Sequence, residues 1–336
     1  MTAEITAVAR AASFLTSEYN IVPSSVIPAG VGVESEVWRI ARHHAPSLCL
    51  KWFRGPADRT VVERTVVMDL LARRGLPFPR IHRTRSGDVI STLEGRAVVV
   101  VSWIDGSILD ELCETSAKAA GAILAKIHDA LAEERPSATT SLPSWQTNDV
   151  EDMIDRCRRL RARIRRLEER SVLDDKIDRA LAERIVILQE ADDLRRGLPE
   201  IALEPLHFDY TRPNLLFQES SLTGVLDLKG VPGYATWELG RIAFEPKTMV
   251  ARRDWLDVAL AAISAYQAYR RRADIVAVAR MTVLYNLFSL WGVANRYEGH
   301  NSVIPTNYED YWLDRHASIS TLMASLEEVE AAIANC

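Results

Sequence analysis

The fold of this chain is decided by the stretch His207-Phe208-Asp209-Tyr210-Thr211-Arg212-Pro213-Asn214 and by Val225-Leu226-Asp227 a little further along. Short runs of β-type residues surround the first stretch, at 201–203, 215–217 and 223–228. A polar loop held between short strands has its side chains positioned by a rigid scaffold, which favours a chemical role. The alternative is an ordinary solvated loop between strands.

The spacing H-x-D-x-x-x-x-N, followed by a hydrophobic strand that ends in Asp, resembles the aminoglycoside phosphotransferase and choline kinase superfamily. These enzymes are distant relatives of the protein kinases. The resemblance implies that Asp209 is the catalytic residue, that His207 orders the loop around it, and that Asn214 and Asp227 bind Mg²⁺.

Phosphoryl transfer accounts for this choice of residues. Its transition state is loose and spreads charge over the phosphate oxygens, so a protein contributes by positioning the hydroxyl and neutralising charge. Asn214 and Asp227 supply the hard oxygen ligands that Mg²⁺ prefers. Asp209 is suited to accept or orient the proton of the attacking hydroxyl.

Upstream of this stretch, a glycine-containing turn joins the first two predicted strands. It reads Ala29-Gly30-Val31-Gly32-Val33-Glu34-Ser35. The resemblance implies that Gly30, Gly32 and Ser35 cover the phosphates of a nucleotide through backbone N–H groups. Taken alone, two glycines between strands indicate only a tight turn.

Lys51 lies in an apolar run, where a charge is costly without a partner. Glu63, on the predicted helix 58–74, is its expected partner, and the resemblance implies that this pair reaches the nucleotide phosphates. Alternatively, Lys51 lies on the exposed face of its strand and never meets Glu63. The run 98–101 then leads to a predicted hinge, where the backbone of Ser102 and Ile104 is expected to bind adenine.

The order of elements predicts an α+β, bilobal, protein-kinase-like fold. A small N-terminal β lobe, residues 1–103, is expected to bind nucleotide, and a mostly helical lobe, residues 104–336, to carry the catalytic loop and the acceptor. Helical spacing occurs at 2–18, 115–132, 149–170, 175–195, 254–272, 274–297 and 308–333.

Composition excludes several classes of protein. The net charge is −5, and the Arg-rich stretch 156–170 precedes a stretch rich in acids, so we expect two paired helices and no nucleic acid partner. The cysteines lack metal-ligand or disulfide spacing, and no apolar run is long enough for a signal or membrane segment. We expect a cytoplasmic protein without a membrane partner, either monomer or homodimer.

Two positions depart from the family pattern. Phe208 replaces the usual glycine, and we expect it to exclude a positive φ angle at that position. Lys229 lies where relatives have an acidic or small residue; it could face solvent or contact phosphate. Two further matches are structural: His128 is expected in the core, and Glu238 is expected to support the catalytic loop.

The acceptor pocket is expected on the helical lobe. Aromatic and acidic residues there would suit a cationic or sugar-like acceptor. The candidates are Asp149, Asp152, Tyr297, Glu298, Tyr308 and Trp312. Helix capping and core packing explain the same residues equally well.

The sequence therefore predicts a Mg²⁺-dependent O-kinase that uses ATP or GTP on an antibiotic-like or small-metabolite acceptor. One alternative is a nucleotide-binding regulator without catalysis, for which Phe208 and Lys229 are the reasons. A Ser/Thr protein kinase is disfavoured, since no A-P-E motif follows Asp227.

Overall fold

The computed structural model describes residues 2–32, 34–134, 143–298 and 308–336. Its N-terminal part contains an antiparallel sheet with strand order β1-β2-β3-β5-β4. The strands are β1 (Ser25–Val31), β2 (Ser35–Arg42), β3 (Ala45–Phe53), β4 (Ser91–Leu93) and β5 (Arg96–Ser102). The predicted β-rich first part of the chain is confirmed, with β4 as an additional edge strand.

Helices cover both faces of this sheet, which explains the unbroken valine run in β5. Val98 and Val100 belong to the cluster formed with α1 (Thr2–Tyr19). Val99 and Val101 point the other way, into the cluster with Val61 of α2 (Arg59–Arg73). Because successive strand side chains alternate between faces, a strand buried on both sides reads as a continuous apolar run.

The boundaries of α2 follow the predicted signals. Asp58 is the N-cap, and its carboxylate accepts a hydrogen bond from Val61 N at 2.8 Å. Gly75 follows the helix with φ +83°, a left-handed conformation that glycine adopts without strain. Local chemistry therefore fixes the helix that packs beneath the sheet.

The C-terminal part is mostly helical and has a separate, larger core. The first helices are α3 (Glu114–Glu134), α4 (Ser144–Thr147), α5 (Val150–Arg165), α6 (Val172–Leu188) and α7 (Ala191–Arg196). The short strands that follow are β6 (Glu204–Leu206), β7 (Leu215–Gln218), β8 (Ser221–Val225) and β9 (Val231–Gly233). The last helices are α8 (Ala235–Ala243), α9 (Pro246–Ala251), α10 (Trp255–Tyr269), α11 (Val278–Phe288), α12 (Val293–Glu298), α13 (Tyr308–Ala324) and α14 (Leu326–Ala334).

Several predicted elements were wrong in extent. The predicted helix 175–195 is divided between α6 and α7, and the predicted helix 274–297 is interrupted, with Gly292 at φ +91° before α12. The predicted strand 201–203 lies instead at Glu204–Leu206, where β6 pairs with β9. Pairing partners distant in sequence decide such strands, and periodicity does not reveal them.

The Arg-rich stretch pairs with the acidic helix after it, as predicted. Arg161 and Arg165 of α5 bind Asp178 of α6 at 2.8 and 3.2 Å. Arg170 pairs with Asp175. These arginines are thus neutralised within the protein.

One apolar helical stretch, Ala273–Glu298, has the length and hydropathy of a membrane span. Its most apolar window is 72% buried inside the protein. Burial of that kind is typical of a core helical segment.

A close contact joins the hinge to the helical part. Ser107 and Phe217 exchange two backbone hydrogen bonds of 2.9 Å, which connects the hinge to β7. Gly106 beside it has φ +154°, and a Cβ there would lie 2.7 Å from Thr223 Oγ1. Glycine is therefore required where the linker crosses the β7–β8 hairpin.

Candidate active site

His207 is fully buried at the start of the catalytic loop. Its Nδ1 accepts a hydrogen bond from Asp209 N at 3.2 Å, and its carbonyl accepts one from Lys229 N at 2.9 Å. Burial lowers the pKa of the imidazole below its usual value, so the ring is neutral near pH 7. These contacts suit a residue that orders the loop.

Two side chains hold the carboxylate of Asp209 in place. Asn214 Nδ2 donates to Asp209 Oδ2 at 3.0 Å, and Arg241 Nη2 donates to Asp209 Oδ1 at 3.0 Å. The carboxylate retains 36% exposure, so a small molecule can reach it. Sequence reasoning missed Arg241, because α8 itself was not predicted and no motif marks the residue.

Phe208 adopts the conformation that we expected it to exclude, with φ +70°. Its ring packs on Trp237 with the ring centres 5.1 Å apart, and its carbonyl accepts a hydrogen bond from Arg241 Nη1 at 2.5 Å. These contacts compensate a left-handed conformation that costs about 1–2 kcal/mol in a non-glycine residue. The expectation about Phe208 was therefore wrong, and the loop keeps the bend that glycine would give.

Glu238 supports the loop from below, as predicted. It is fully buried, and its carboxylate accepts hydrogen bonds from Tyr210 N at 3.3 Å and from His128 Nε2 at 3.0 Å. Burial acts to raise the pKa of Glu238, but the His128 hydrogen bond and charge outweigh it, so that pKa is lowered. His128 is buried in the core, as expected.

Lys51 forms an ion pair with Asp227, across the boundary between the sheet and the helical part. The Lys51 charge is the main reason that the pKa of Asp227 falls to about 2, against the opposing effect of burial. The expected partner, Glu63, accepts instead from Arg59 Nε at 2.6 Å. The predicted Lys51–Glu63 pair is therefore replaced by Lys51–Asp227, because Lys51 points towards the loop that carries Asp227.

Asn214 and Asp227 fit the requirements of a Mg²⁺ ion. The Asn214 amide nitrogen is occupied by the Asp209 side chain and carbonyl, which leaves its Oδ1 as the atom available to a cation. Asp227 is ionised at all ordinary pH values. The described residues contain no cluster of three or more His, Cys, Asp or Glu suited to a metal. Two protein oxygens plus phosphate and water are the usual ligands of nucleotide-bound Mg²⁺.

A cavity of about 610 Å³ lies between the sheet and the helical part. Gly30, Gly32, Lys51, Ser102 and Ile104 line it, together with Asn214 and Asp227. This volume is ample for a nucleotide.

Two residues expected at the nucleotide are not part of the cavity wall. Ser35 is buried, and its carbonyl accepts a hydrogen bond from Gly32 N at 2.8 Å, closing the tight β1–β2 turn. Glu63 also lies outside the described wall, beside Arg59. Neither side chain lines the cavity, and the nucleotide role expected of Ser35 and Glu63 stays a prediction.

Glu34 joins three elements across the cavity. Its carboxylate pairs with Arg64 of α2 and with Lys229 of the loop after Asp227, each at 2.9 Å. All three side chains line the cavity. Lys229 therefore faces the cavity.

The residues expected to bind the acceptor have other partners. Asp149 caps α5 by accepting a hydrogen bond from Asp152 N at 3.1 Å. Arg156 forms a bidentate ion pair with Glu298. Tyr297 donates its hydroxyl hydrogen to Asp174, and Trp312 is buried. The Tyr308 side chain lies outside the described residues. Capping, ion pairing and packing thus account for Asp149, Tyr297, Glu298 and Trp312, whereas the acceptor role of Asp152 stays a prediction.

Comparison with known proteins agrees with this geometry. The model of the phosphotransferase enzyme family (APH) matches residues 25–275, which include the cavity, the catalytic loop and Asp227. The chain belongs to this phosphotransferase family.

Relatives of this phosphotransferase include two homoserine kinases. The homoserine kinase of Beijerinckia indica is 29% identical over 167 residues, 48% of this chain and 45% of that enzyme. That of Methylobacterium nodulans is 35% identical over 113 residues, 31% of this chain and 35% of that enzyme. The matches thus span less than half the length of these curated relatives.

Solved structures share the fold along nearly the whole phosphotransferase chain. An aminoglycoside phosphotransferase from Alicyclobacillus acidocaldarius has a TM-score of 0.64 at 15% identity, covering 98% of this chain and 96% of that one. Spectinomycin phosphotransferase, solved with ADP and spectinomycin, has a TM-score of 0.66 at 12% identity, covering 98% and 99%. The predicted bilobal, protein-kinase-like fold is confirmed.

Proposed function

We propose that this protein transfers the γ-phosphate of ATP to a hydroxyl group of a small molecule, with Mg²⁺ held by Asn214 and Asp227. The observation that carries the proposal is the Asp209 carboxylate, fixed by Asn214 and Arg241 and still open to solvent. Neighbouring structures with ADP support an adenine nucleotide. The nucleotide lobe, residues 1–103, contributes Lys51, and residues 104–336 contribute the rest.

Each residue of the site has a distinct task in this reaction. Asp209 orients the acceptor hydroxyl and receives its proton as the oxygen attacks phosphorus. The bond from the γ-phosphorus to the bridging oxygen of ADP breaks as the new P–O bond forms. Mg²⁺, when bound, neutralises phosphate charge, and Lys51 adds a cation beside Asp227. His207 and Glu238 hold the loop and do not contact the reacting atoms.

L-Homoserine is the first acceptor to test, because the relatives of known name are homoserine kinases. Aminoglycosides and spectinomycin form the second group, because structural neighbours act on such compounds. ADP release coupled to NADH oxidation measures all of them under one set of conditions.

The decisive variant is Asp209→Asn, which keeps the shape of the side chain and removes its charge. We expect kcat to fall by about 10²–10⁴, the usual contribution of a positioned acid–base group. Asp193→Asn is the matched control, because Asp193 is an exposed acid on α7 and does not line the cavity. Full turnover by Asp209→Asn would exclude the role given to Asp209.

A regulator without catalysis is the second candidate. Phe208 and Lys229 were the reasons to consider it, but Phe208 adopts the bend of glycine and Lys229 faces the cavity. ATP consumption that depends on an added acceptor distinguishes an enzyme from such a regulator. A peptide array tests the disfavoured protein kinase activity in the same way.

A further inference from the structure

On the helical side of Asp209, two arginines contact one tyrosine ring. The guanidinium carbon of Arg241 lies 5.2 Å from the ring centre of Tyr285 on α11. That of Arg315 on α13 lies 4.7 Å from the same ring centre. Since Arg241 also binds Asp209, this ring is separated from the proposed catalytic carboxylate by a single side chain.

The charge of Arg315 is not balanced by a carboxylate in the described part of the chain. Its Nε donates to Asn286 Oδ1 at 2.9 Å and its Nη1 to Ser289 Oγ at 3.1 Å. Its Nη2 has no hydrogen-bond partner among the described residues, although the side chain is only 5% exposed. A buried charge without a counter-charge is unfavourable, so this position favours an anion nearby.

Two buried acids of this region, Glu245 and Glu238, already have cationic partners. Glu245 accepts from Arg212 Nε at 2.9 Å and caps α9 through Thr248. Glu238 is bound by His128. The positive charge around Tyr285 is therefore not cancelled by these carboxylates.

The pKa of Tyr285 reflects the positive charge of these two arginines. Burial acts to raise the pKa of its hydroxyl, as it does for most buried tyrosines. The charges of Arg241 and Arg315 outweigh burial, and the pKa of Tyr285 lies below its usual value. The surroundings of the ring thus favour negative charge.

We infer that the acceptor carries a carboxylate, bound beside Tyr285 by Arg241 with the charge of Arg315 behind the ring. The inference rests on the proposed function, because it concerns the acceptor of that reaction. Arg241 and Tyr285 keep some exposure and are the groups that a ligand can reach. Guanidinium groups bind carboxylates in preferred, directional geometries.

The geometry also limits the size of the acceptor. The acceptor hydroxyl must lie at Asp209 and its carboxylate near Tyr285. Arg241 contacts both residues, and its guanidinium carbon is only 5.2 Å from the centre of the Tyr285 ring, so the two groups of the acceptor must be close together. A short hydroxy acid or hydroxy amino acid satisfies both contacts at once. A cationic acceptor, one of the two kinds that the sequence suggested, would meet two guanidinium groups here.

Two fragments of L-homoserine test the inference on the unmodified protein. 4-Hydroxybutyrate keeps the hydroxyl and carboxylate but lacks the amine, whereas 3-amino-1-propanol keeps the hydroxyl and amine but lacks the carboxylate. We expect kcat/KM for 4-hydroxybutyrate to exceed that for 3-amino-1-propanol by about tenfold or more, equivalent to about 1.4 kcal/mol. Equal turnover, or preference for 3-amino-1-propanol, would overturn the inference.

Arg315→Gln then tests the residue. Because Arg315 also holds Asn286 and Ser289, a purely structural loss would lower the turnover of both fragments by the same factor and leave their ratio unchanged. We expect the ratio itself to fall by about tenfold, with KM for ATP unaffected, and Arg315→Lys to restore most of it. An unchanged ratio in a folded Arg315→Gln protein would reject the role of Arg315.

A binding measurement separates this inference from the proposed function. If no acceptor is phosphorylated, thermal unfolding is recorded with each fragment at equal concentration. Stabilisation by 4-hydroxybutyrate alone would uphold the carboxylate site and reject the kinase. Equal stabilisation, or none, would overturn the carboxylate site.

Discussion

Phe208 illustrates how one residue can differ from its family and still keep the geometry of the loop. Its φ angle of +70° is the conformation for which relatives use glycine. The aromatic contact with Trp237 and the hydrogen bond from Arg241 hold the backbone there. The sequence could not reveal this, because both partners lie on α8, which periodicity did not predict.

Two variants separate the conformational strain of the backbone at position 208 from the packing of the Phe208 ring. Phe208→Gly and Phe208→Ala both remove the ring, but only glycine adopts a positive φ angle without strain. We expect Phe208→Gly to be more stable than Phe208→Ala by about 1 kcal/mol, measured by urea unfolding. If Phe208→Ala is the more stable of the two, the backbone at 208 does not hold this bend.

The Lys51–Asp227 pair predicts a dependence of stability on pH. A carboxylate with a lowered pKa stabilises the folded state above its ordinary pKa, and this stabilisation is lost as the pH falls towards about 2. Lys51→Met removes the main cause of the shift. We therefore expect the loss of stability in Lys51→Met to be greatest near pH 7 and to shrink as the pH falls from about 4 to about 2 in urea unfolding.

Lys126→Met is the control for this pH experiment. Lys126 contacts the ring of Tyr269 and no carboxylate in the described residues, so its removal should change stability equally at every pH. If Lys51→Met also lost the same amount of stability at every pH, the lowered pKa of Asp227 would not be caused by Lys51.

At the level of helices and strands, local sequence signals were sufficient to predict an element when its own residues determine where it begins and ends. The Asp58 cap, Gly75 and the valine run of β5 were all readable in sequence. The strands β4 and β9 and the helix α8 were not, because short elements depend on distant pairing and packing. The missed α8 carries Arg241, which explains why this residue was not predicted, although Glu238 on the same helix was.

The contact between α5 and α6 depends on one acid more than on its neighbours. Asp178 is mostly buried and binds Arg161 and Arg165, whereas Asp175 is exposed and, among the described residues, binds only Arg170. We expect Asp178→Asn to lower the free energy of unfolding by about 1–3 kcal/mol and Asp175→Asn by less than about 0.5 kcal/mol. Chemical denaturation of both variants checks this, and equal losses would contradict it.

At the scale of the whole molecule, the order of motifs was enough to predict two lobes and a cleft between them. It was not enough to identify which charges meet across the cleft. Glu34 pairs with Lys229, and Lys51 with Asp227, across large separations in sequence. Such pairs depend on how the lobes fit together, which no local pattern encodes.

The Glu34 contacts predict a change in nucleotide affinity. Glu34 occupies Arg64 and Lys229 inside the cavity, so a triphosphate must compete with its carboxylate for these cations. We expect Glu34→Gln to tighten the binding of AMP-PNP by about three- to tenfold, measured by isothermal titration calorimetry.

Glu36→Gln is the matched control for this measurement. Glu36 lies on β2, two residues after Glu34, and pairs with Arg96, outside the described cavity wall. Its Kd for AMP-PNP should stay unchanged. Weaker binding by Glu34→Gln would mean that Glu34 supports the nucleotide and does not compete with it.

The double backbone hydrogen bond between Ser107 and Phe217 has a consequence for nucleotide selection. It fastens the hinge segment that follows Ser102 and Ile104 to β7, the strand that begins directly after Asn214. In the proposed complex, the hinge backbone near Ile104, expected to bind the base, is thereby linked through β7 to Asn214, expected to hold the metal. We therefore expect the length of the phosphate chain to be a criterion of nucleotide recognition, because the proposed base and metal positions are linked in this way.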